Sequence, residues 1–353
     1  MTQPQGALLV GSINLPDAEQ TFRAAAQTLG AHLRRLPDGE PGERFHWIVF
    51  QPDVLGRAEG IERVGDEPVL IRTSDVRPLR IAEGVDPATI ELPPLGYAAA
   101  ALDSYARFVR LRAEGVIPER LRFQVSLPTP LSVIQSFVVE DSRAAFTPLY
   151  TAALFRELDE ILAGIAHDDL AVQWDCALEF ALIEQAGYED RLSGSEAGLG
   201  GDVWGELISR AAEQAGRVPE AVELGFHLCY GDAGEKHFVE PRDTQNLVTF
   251  ANRVSAASPR QITWLHLPVP IERDDDDYYR PLSELALGAD TELYLGLVHR
   301  EDGAPGASRR IQTALRYAPA FGVATECGIG RAPDGVTLPL FETHAAVSAP
   351  VTG

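Results

Sequence analysis

Eight short apolar runs, separated by stretches with helical periodicity, constrain the fold of this chain more than any other feature of its sequence. Each run is nearly continuous in hydrophobic side chains, which is typical of strands that are buried on both faces of a parallel sheet. The runs cover residues 7–11, 32–36, 122–127, 170–174, 222–226, 262–266, 292–298 and 322–325.

Helical patterns follow seven of these runs, and this alternation predicts a parallel sheet that closes into a single (β/α)8 (TIM) barrel of the α/β class. The first helix is predicted to begin after Asp17, because Pro16 precedes it and Gln20 lies three residues on, as in a capping box. The other helices are predicted near residues 97–113, 142–165, 201–215, 243–256, 277–287 and 308–319.

One insertion and one tail complete the predicted domain organisation. The segment IERVGDEPVLIRT, residues 61–73, has the pattern of a hairpin, so we expect an inserted hairpin near residues 60–75. Residues 1–345 are predicted to form one catalytic barrel, and residues 346–353 a flexible C-terminal tail. A chain of 353 residues, 45% of them hydrophobic, can fill the core of such a barrel.

Charge and cysteine content exclude several classes of partner. The formal net charge of −22 opposes binding to nucleic acid or to an anionic membrane surface. The N-terminus has no basic leader and only a short apolar stretch, so we expect no signal peptide. The sequence contains no run of about 18 apolar residues, so we expect no membrane span. Three cysteines in a chain of this length favour reduced thiols over a disulfide framework, and hence a cytoplasmic location.

Polar and reactive side chains cluster where the apolar runs end. In a (β/α)8 barrel the carboxyl ends of the strands form the rim that carries catalytic residues. The candidates at this rim are Gly11, Ser12, Asp38, Glu40, Thr129, Asp175, His227, Cys229, His266, His299 and Cys327.

The His227-x-Cys229 pair has the spacing of two ligands on one face of an extended segment. Cys327 follows the last apolar run and could converge on this pair across the barrel mouth. Imidazole and thiolate are typical ligands of zinc, and three protein ligands with an open fourth position is the arrangement of catalytic sites. The alternative is that the three are ordinary core residues.

Structural roles are also open for the other candidates. Asp175 could cap the helix that follows it, and Glu40 could be a solvated turn residue in Asp38-Gly39-Glu40. His266 and His299 could be ordinary, partly buried histidines.

The order of these motifs resembles the catalytic C-terminal barrel of cobalamin-independent methionine synthase. That family belongs to a superfamily that also holds zinc-dependent corrinoid:thiol methyltransferases and uroporphyrinogen decarboxylase. The similar segments are Val10-Gly11-Ser12, Asp38-Gly39-Glu40, residues 127–134 (LPTPLSVI), residues 172–175 (VQWD), Phe226-His227-Leu228-Cys229-Tyr230, Leu297-Val298-His299 and Glu326-Cys327-Gly328.

The resemblance implies a zinc-dependent methyl (alkyl) transferase that activates a thiol substrate as a zinc-bound thiolate. It implies Zn²⁺ on His227, Cys229 and Cys327. The implied partners are a small thiol acceptor and a methyl donor, which could be a folate, a corrinoid protein or a small methylated metabolite.

The resemblance also implies roles for the remaining rim residues. Gly11, Ser12, Glu40 and Asp175 would hold an amino-acid thiol, with the two acids taking its ammonium group. His299 and Asp175 are implied as catalytic residues, His299 by handling a proton or orienting the substrate.

One departure from the family pattern concerns the fourth metal ligand. The family places a glutamate ligand on the strand matching residues 262–268, where this chain has apolar residues followed by His266. The fourth position could therefore belong to His266, Glu326 or the substrate. Two other functions stay open: a zinc-dependent lyase or hydrolase on the same barrel, and a metal-free, decarboxylase-like enzyme.

Overall fold

The barrel contains eight parallel strands, as the sequence predicts. The computed structural model describes residues 3–186, 202–231 and 236–351. The barrel strands are β1 (Ala7–Leu8), β2 (Arg35–Pro37), β3 (Arg122–Pro128), β4 (Leu170–Cys176), β5 (Glu223–Leu228), β6 (Trp264–Pro268), β7 (Glu292–Val298) and β8 (Gly322–Thr325).

Each strand lies beside its neighbours in sequence, from β2 through β8, and β8 pairs with β1. β1 and β2 do not pair as a ladder. Instead, the Ala7 N–H donates to the carbonyl oxygen of His32, before β2, at 2.8 Å, and the Ile13 N–H, after β1, donates to the carbonyl oxygen of Gly39 at 2.9 Å. The barrel is therefore nearly closed, which confirms the predicted (β/α)8 class.

Helices surround this sheet. They are α1 (Ala18–Leu29), α2 (Gln51–Leu55), α3 (Tyr97–Ala113), α4 (Pro130–Phe137), α5 (Glu140–Gly164), α6 (Leu178–Ala186), α7 (Val203–Gly216), α8 (Gln245–Ala257), α9 (Asp276–Tyr279), α10 (Gly303–Ala314) and α11 (Thr337–Val347).

The start of α1 shows how local sequence sets an element boundary. Asp17 accepts a hydrogen bond from the backbone N–H of Gln20 at 2.8 Å, and the Gln20 side chain donates back to Asp17 at 2.9 Å. The helix then buries Phe22, Ala25 and Leu29 on one face against the barrel. The predicted helix start at Asp17 is confirmed.

Two predicted helices differ from the structure in their bounds. The prediction near 277–287 becomes the short α9 followed by a 3-10 helix over Arg280–Glu284, in which Pro281 supplies no N–H for an α-helical hydrogen bond. The prediction near 308–319 begins five residues late, because Gly303 and Pro305 are typical of a loop but form the first turn of α10.

The insertion between β2 and α3 contains two antiparallel ladders instead of one hairpin. An outer ladder pairs Ile61–Arg63 with Leu79–Ile81, and an inner one pairs Leu70–Ile71 with Ser74–Asp75. The predicted hairpin is thus in the right place, but its outer ladder reaches beyond residue 75. Arg63 joins the insertion to α2 through an ion pair with Asp53 at 2.7 Å.

The C-terminal residues lie against the first strand. Val347 ends α11, the Gly6 N–H donates to the Ala349 carbonyl oxygen at 2.9 Å, and the Val351 N–H donates to Ala31 at 3.0 Å. The flexibility assigned to residues 346–353 stays a prediction. In the part of the chain that the structure describes, no helix is long and apolar enough to cross a membrane.

A buried arginine closes the N-terminal end of the barrel. Arg35, 1% exposed, forms ion pairs with Glu223 at 2.8 Å and Glu292 at 2.9 Å. Its guanidinium lies 4.1 Å from the centre of the Trp264 ring. Because these charges fill this end, an accessible cavity within the barrel has to lie at the carboxyl ends of the strands.

Candidate metal centre

A cavity of about 350 Å³ opens at the carboxyl ends of the strands. It contains every residue predicted to bind metal or substrate, because the corresponding strand ends meet there. Those residues are Gly11, Ser12, Glu40, Asp175, His227, Cys229 and Cys327. His299 does not line this cavity.

Three of these side chains form a cluster that could hold a metal ion. Ligand atoms of His227, Cys229 and Cys327 all lie within 4.8 Å of one another. The two sulfur atoms are 3.7 Å apart. Zinc–sulfur bonds of about 2.3 Å at a tetrahedral angle place two thiolates about 3.8 Å apart, so the sulfurs already have the required spacing.

Strand pairing produces this arrangement. His227 is paired with Asp175 on β4 and with His266 on β6. One residue past the end of β5, the Cys229 N–H still donates to the Cys176 carbonyl oxygen at 2.9 Å. The extended conformation therefore continues to Cys229, and side chains two residues apart point to the same side, as the period-2 spacing predicts.

His227 uses one ring nitrogen in a hydrogen bond and leaves the other unused among the described residues. Its Nδ1 lies 2.7 Å from Nδ1 of His266, whereas its Nε2 is buried and has no hydrogen-bond partner among the described residues. Burial, together with His266, lowers the pKa of His227 well below its ordinary value. A neutral imidazole with an unused nitrogen beside two thiols is a donor set that fits zinc.

His266 and Glu326, the two protein candidates for a fourth ligand, both bind elsewhere. His266 Nε2 lies 3.0 Å from the Thr325 carbonyl oxygen, so both of its ring nitrogens are engaged. Glu326 Oε1 lies 2.9 Å from Nε2 of His237, whose other nitrogen contacts Glu240 at 3.0 Å. Although burial opposes it, these carboxylates raise the pKa of His237 to about 9.

Two buried carboxyl groups face the cavity beside the metal cluster. Burial raises the pKa of Glu40 to about 7, in spite of attraction by Arg44 and Arg331. Burial, with repulsion from Glu40, also raises the pKa of Asp175 well above its ordinary value. Gln173 holds Asp175 by donating a hydrogen bond at 2.9 Å. A cationic ligand group would relieve the cost of ionising both acids.

Asp38 provides a contrast within the same turn. It pairs with Arg44 at 2.6 Å and accepts a hydrogen bond from Ser104 at 2.6 Å. Although burial opposes it, these contacts hold the pKa of Asp38 below its ordinary value. Glu40 follows in a left-handed backbone conformation, with φ of 54°. The turn thus anchors Asp38 to Arg44 and directs Glu40 into the cavity.

Gly11 and Ser12 bring the end of β1 close to the other walls. A Cβ at Gly11 would lie 3.1 Å from Glu40 Oε1, so a side chain there would press on the acid. Ser12 accepts a backbone hydrogen bond from Ile329 at 2.7 Å. Its side chain fills the space that a Cβ at Gly328 would need, with Oγ at 2.3 Å from that position.

His299 lies outside this group. Its Nε2 is 2.8 Å from the Val269 carbonyl oxygen, and burial lowers its pKa. The structure therefore brings together seven of the eight predicted site residues. The catalytic roles assigned to His299 and Asp175 stay predictions.

Sequence reasoning missed the apolar wall of the cavity. Its side chains come from the segment after β2, the inserted ladders, α4, α6 and the segment after β5. They are Ile48, Val49, Ile71, Phe137, Leu178 and Phe238. Single apolar residues spread over loops, ladders and helix ends carry no motif, so only the three-dimensional arrangement identifies them. Arg331 also lines the cavity. It lies four residues after Cys327, with Gly328 and Gly330 between them, and this closeness to a candidate ligand is the sequence signal that could have identified it.

Fold and site together define a (β/α)8 barrel with a His-Cys-Cys cluster at the carboxyl ends of its strands. No family model and no curated protein matches the sequence. Solved structures do share the fold, and three of them cover 98% of this chain.

These three structures are methyltransferases or proteins assigned as such. A B12-independent methionine synthase from Shewanella sp. W3-18-1, in complex with selenomethionine, is 15% identical, is covered over 96% of its chain and gives a TM-score of 0.58. A Listeria monocytogenes protein assigned as a vitamin-B12-independent methionine synthase is 12% identical, with 98% covered and a TM-score of 0.59.

The third, a methyltransferase from Methanosarcina mazei, is 12% identical, with 94% covered and a TM-score of 0.55. At this level of identity the likeness concerns the fold. At the level of the fold, it confirms the resemblance to cobalamin-independent methionine synthase that the sequence predicts.

Proposed function

We propose that this chain is a zinc-dependent enzyme that transfers a methyl or other alkyl group to a thiol. The observation that carries the proposal is the convergence of His227, Cys229 and Cys327 at the wall of a cavity that also holds two buried acids. Zinc bound to these residues would supply a substrate thiolate, and hence a nucleophile, at neutral pH. Thiolate ligands of this kind suit the reducing cytoplasm, where we place the enzyme.

The acids define the other end of the acceptor. Glu40 and Asp175 both have raised pKa values because they are buried, and an ammonium group between them would offset that cost. Ser12 and Gly11 bound the same part of the cavity. An amino-acid thiol therefore fits, with its sulfur toward the cysteines and its amine toward the acids. The selenomethionine in the Shewanella structure is an amino acid of comparable shape.

The apolar wall of the cavity, which includes Ile48 and Phe137, would exclude water from the alkyl group during its transfer. The donor, whether a folate, a corrinoid protein or a small methylated metabolite, would approach from this side. We assign Asp175 to proton handling as well, because it lines the cavity and burial raises its pKa well above the ordinary value. His299 keeps its proposed role of orienting groups near the rim.

Metal analysis combined with an alkylation assay tests the proposal. We expect about one zinc per chain, and zinc-dependent alkylation of an amino thiol by a reactive methyl donor. A thiol of the same length without the amine should react more slowly. Cys229→Ser should lose zinc and activity, whereas Cys176→Ala, a buried cysteine outside the cluster, should keep both.

Wild-type protein without zinc would refute the proposed function. Turnover of a small substrate without added thiol would replace it by a lyase or hydrolase reaction on the same metal. Neither outcome changes the fold.

A further inference from the structure

His266 occupies the centre of the strands that carry the metal cluster. It is fully buried on β6, directly beside His227 on β5. Its two ring nitrogens contact different neighbours: Nδ1 lies 2.7 Å from Nδ1 of His227, and Nε2 lies 3.0 Å from the Thr325 carbonyl oxygen. His266 therefore bridges the strand of two candidate ligands and the strand end that precedes the third.

The carbonyl group sets the direction of both hydrogen bonds. A carbonyl oxygen only accepts, so Nε2 of His266 carries a hydrogen and donates to Thr325. In a neutral ring, Nδ1 of His266 is then an acceptor, and the hydrogen between the two rings belongs to Nδ1 of His227. This leaves Nε2 of His227 without a hydrogen, which is the form that binds a metal ion.

Two further contacts hold this chain of hydrogen bonds in place. The hydroxyl of Thr325 donates to the Cys327 carbonyl oxygen at 2.8 Å, so the residue that orients His266 also fixes the backbone of a candidate ligand. Gly296 leaves the necessary space on β7: a Cβ there would lie 2.9 Å from Nε2 of His266 and 2.8 Å from the Thr325 oxygen.

We propose that His266 is a positioning residue that selects the metal-binding tautomer of His227 and is not itself a ligand. On the strand where the resemblance implies a carboxylate ligand, this chain would thus carry a residue that acts through its neighbour. The protein would supply three ligands, and the fourth position would belong to the substrate. This inference rests on the proposed metal site but not on thiol alkylation.

Zinc affinity measured by competition with a chromophoric chelator tests the role of His266. We expect His266→Ala to weaken zinc binding about 10- to 100-fold, the usual effect of removing the partner of a metal-bound histidine. His266→Gln should recover part of the affinity, because an amide can donate to Thr325 and accept from His227. The matched control is His344→Ala, since His344 is equally buried but lies in α11, outside the cluster.

X-ray absorption spectroscopy of the zinc-loaded protein counts the ligands. One imidazole and two thiolates in wild type, unchanged in His266→Ala, would support the inference. Two imidazoles in wild type would overturn it, since His266 would then be a ligand. Unchanged zinc affinity in His266→Ala would overturn it as well.

Nitrogen NMR of the metal-free protein gives a test that needs no metal. We expect His227 to carry its hydrogen on Nδ1 and His266 on Nε2. The opposite pair of tautomers would overturn the inference. If wild type bound no zinc, the proposed function would fail, and this measurement would still decide the inference.

Discussion

The two ends of the barrel treat buried charge in opposite ways. At the N-terminal end, Arg35 is enclosed by Glu223 and Glu292, and the Tyr294 hydroxyl adds a hydrogen bond to Glu292 at 2.9 Å. At the carboxyl end, Glu40 and Asp175 are buried with raised pKa values. The buried charges at the N-terminal end pair with one another within the chain. The two acids at the carboxyl end are placed to bind a cationic group of a ligand.

This difference separates stability from function along a single barrel axis. Matched buried charges contribute to the fold only as a set, because removing one partner leaves the others desolvated. Poorly stabilised acids and an unpartnered imidazole nitrogen cost stability until a ligand arrives. We therefore expect changes at the two ends to affect different measurements.

The largest effect is expected at the carboxyl end, from Cys327→Ser. Losing one of three candidate ligands should weaken zinc binding by more than about 100-fold, because a hydroxyl is a poor zinc ligand. Competition with a chelator measures this change. Cys176→Ala is the matched control, and equal loss of zinc in both variants would break the distinction between the cluster and the third cysteine.

Arg35→Met tests the opposite end. Removing the guanidinium should lower the free energy of unfolding by about 3 kcal/mol, because Glu223 and Glu292 lose their shared partner. Zinc affinity should stay unchanged. Urea unfolding and chelator competition measure the two quantities.

Arg34→Met is the control for this change, since Arg34 contacts Glu292 at 2.9 Å from a side chain that is 36% exposed. We expect it to cost less than about 1 kcal/mol. A stability loss as large as that of Arg35→Met would show that burial of the pair matters little.

Glu40→Gln should show a pH-dependent gain in stability in the metal-free and substrate-free protein. Burial raises the pKa of Glu40 from 4.5 to about 7, so the folded state binds the proton more tightly than the unfolded state does. Ionisation of Glu40 therefore lowers the stability of the wild type as pH rises from 4.5 to 7, a contribution that the variant lacks. At pH 8 the variant should be more stable by up to roughly 3 kcal/mol.

Urea unfolding between pH 4 and pH 8 measures this difference, with the exposed carboxyl variant Glu43→Gln as control. Binding of an amino thiol should change in the opposite direction and become weaker in Glu40→Gln. If Glu40→Gln were less stable than wild type at pH 8, this would contradict the proposal that Glu40 binds a cationic group of the ligand.

The smallest effect is expected from Ile71→Ala in the inserted ladders. Ile71 lines the cavity but is 44% exposed, so its loss should raise the KM for the thiol by no more than about fivefold. The adjacent Leu70, 62% exposed and outside the cavity wall, provides the control Leu70→Ala. Equal effects of the two changes would show that the insertion does not contact substrate.

Much of the fold and the metal cluster could be predicted because their signals are local. Strands buried on both faces are apolar runs, and His227-x-Cys229 shows its period in the sequence itself. The role of His266 could not be predicted in this way. Whether a histidine binds metal or supports a ligand depends on the Thr325 carbonyl group on another strand.

The apolar wall and the N-terminal ion pairs were beyond sequence reasoning for the same reason. Ile48 and Phe137 come from segments that meet only in the folded barrel. Arg35, Glu223 and Glu292 look like ordinary charged residues at strand starts. Their significance comes from the burial of one side chain, which no single segment encodes.

The separation of Cys229 and Cys327 along the chain has a consequence for biosynthesis. The two sulfur atoms that meet in the cluster are 98 positions apart, and β8, which precedes the second, is the last strand of the barrel. A nascent chain would therefore leave the ribosome as far as its final strand before its complete ligand set exists. Insertion of the proposed metal would be a late event in its maturation, and a chain truncated before Cys327 would lack one of the three candidate ligands.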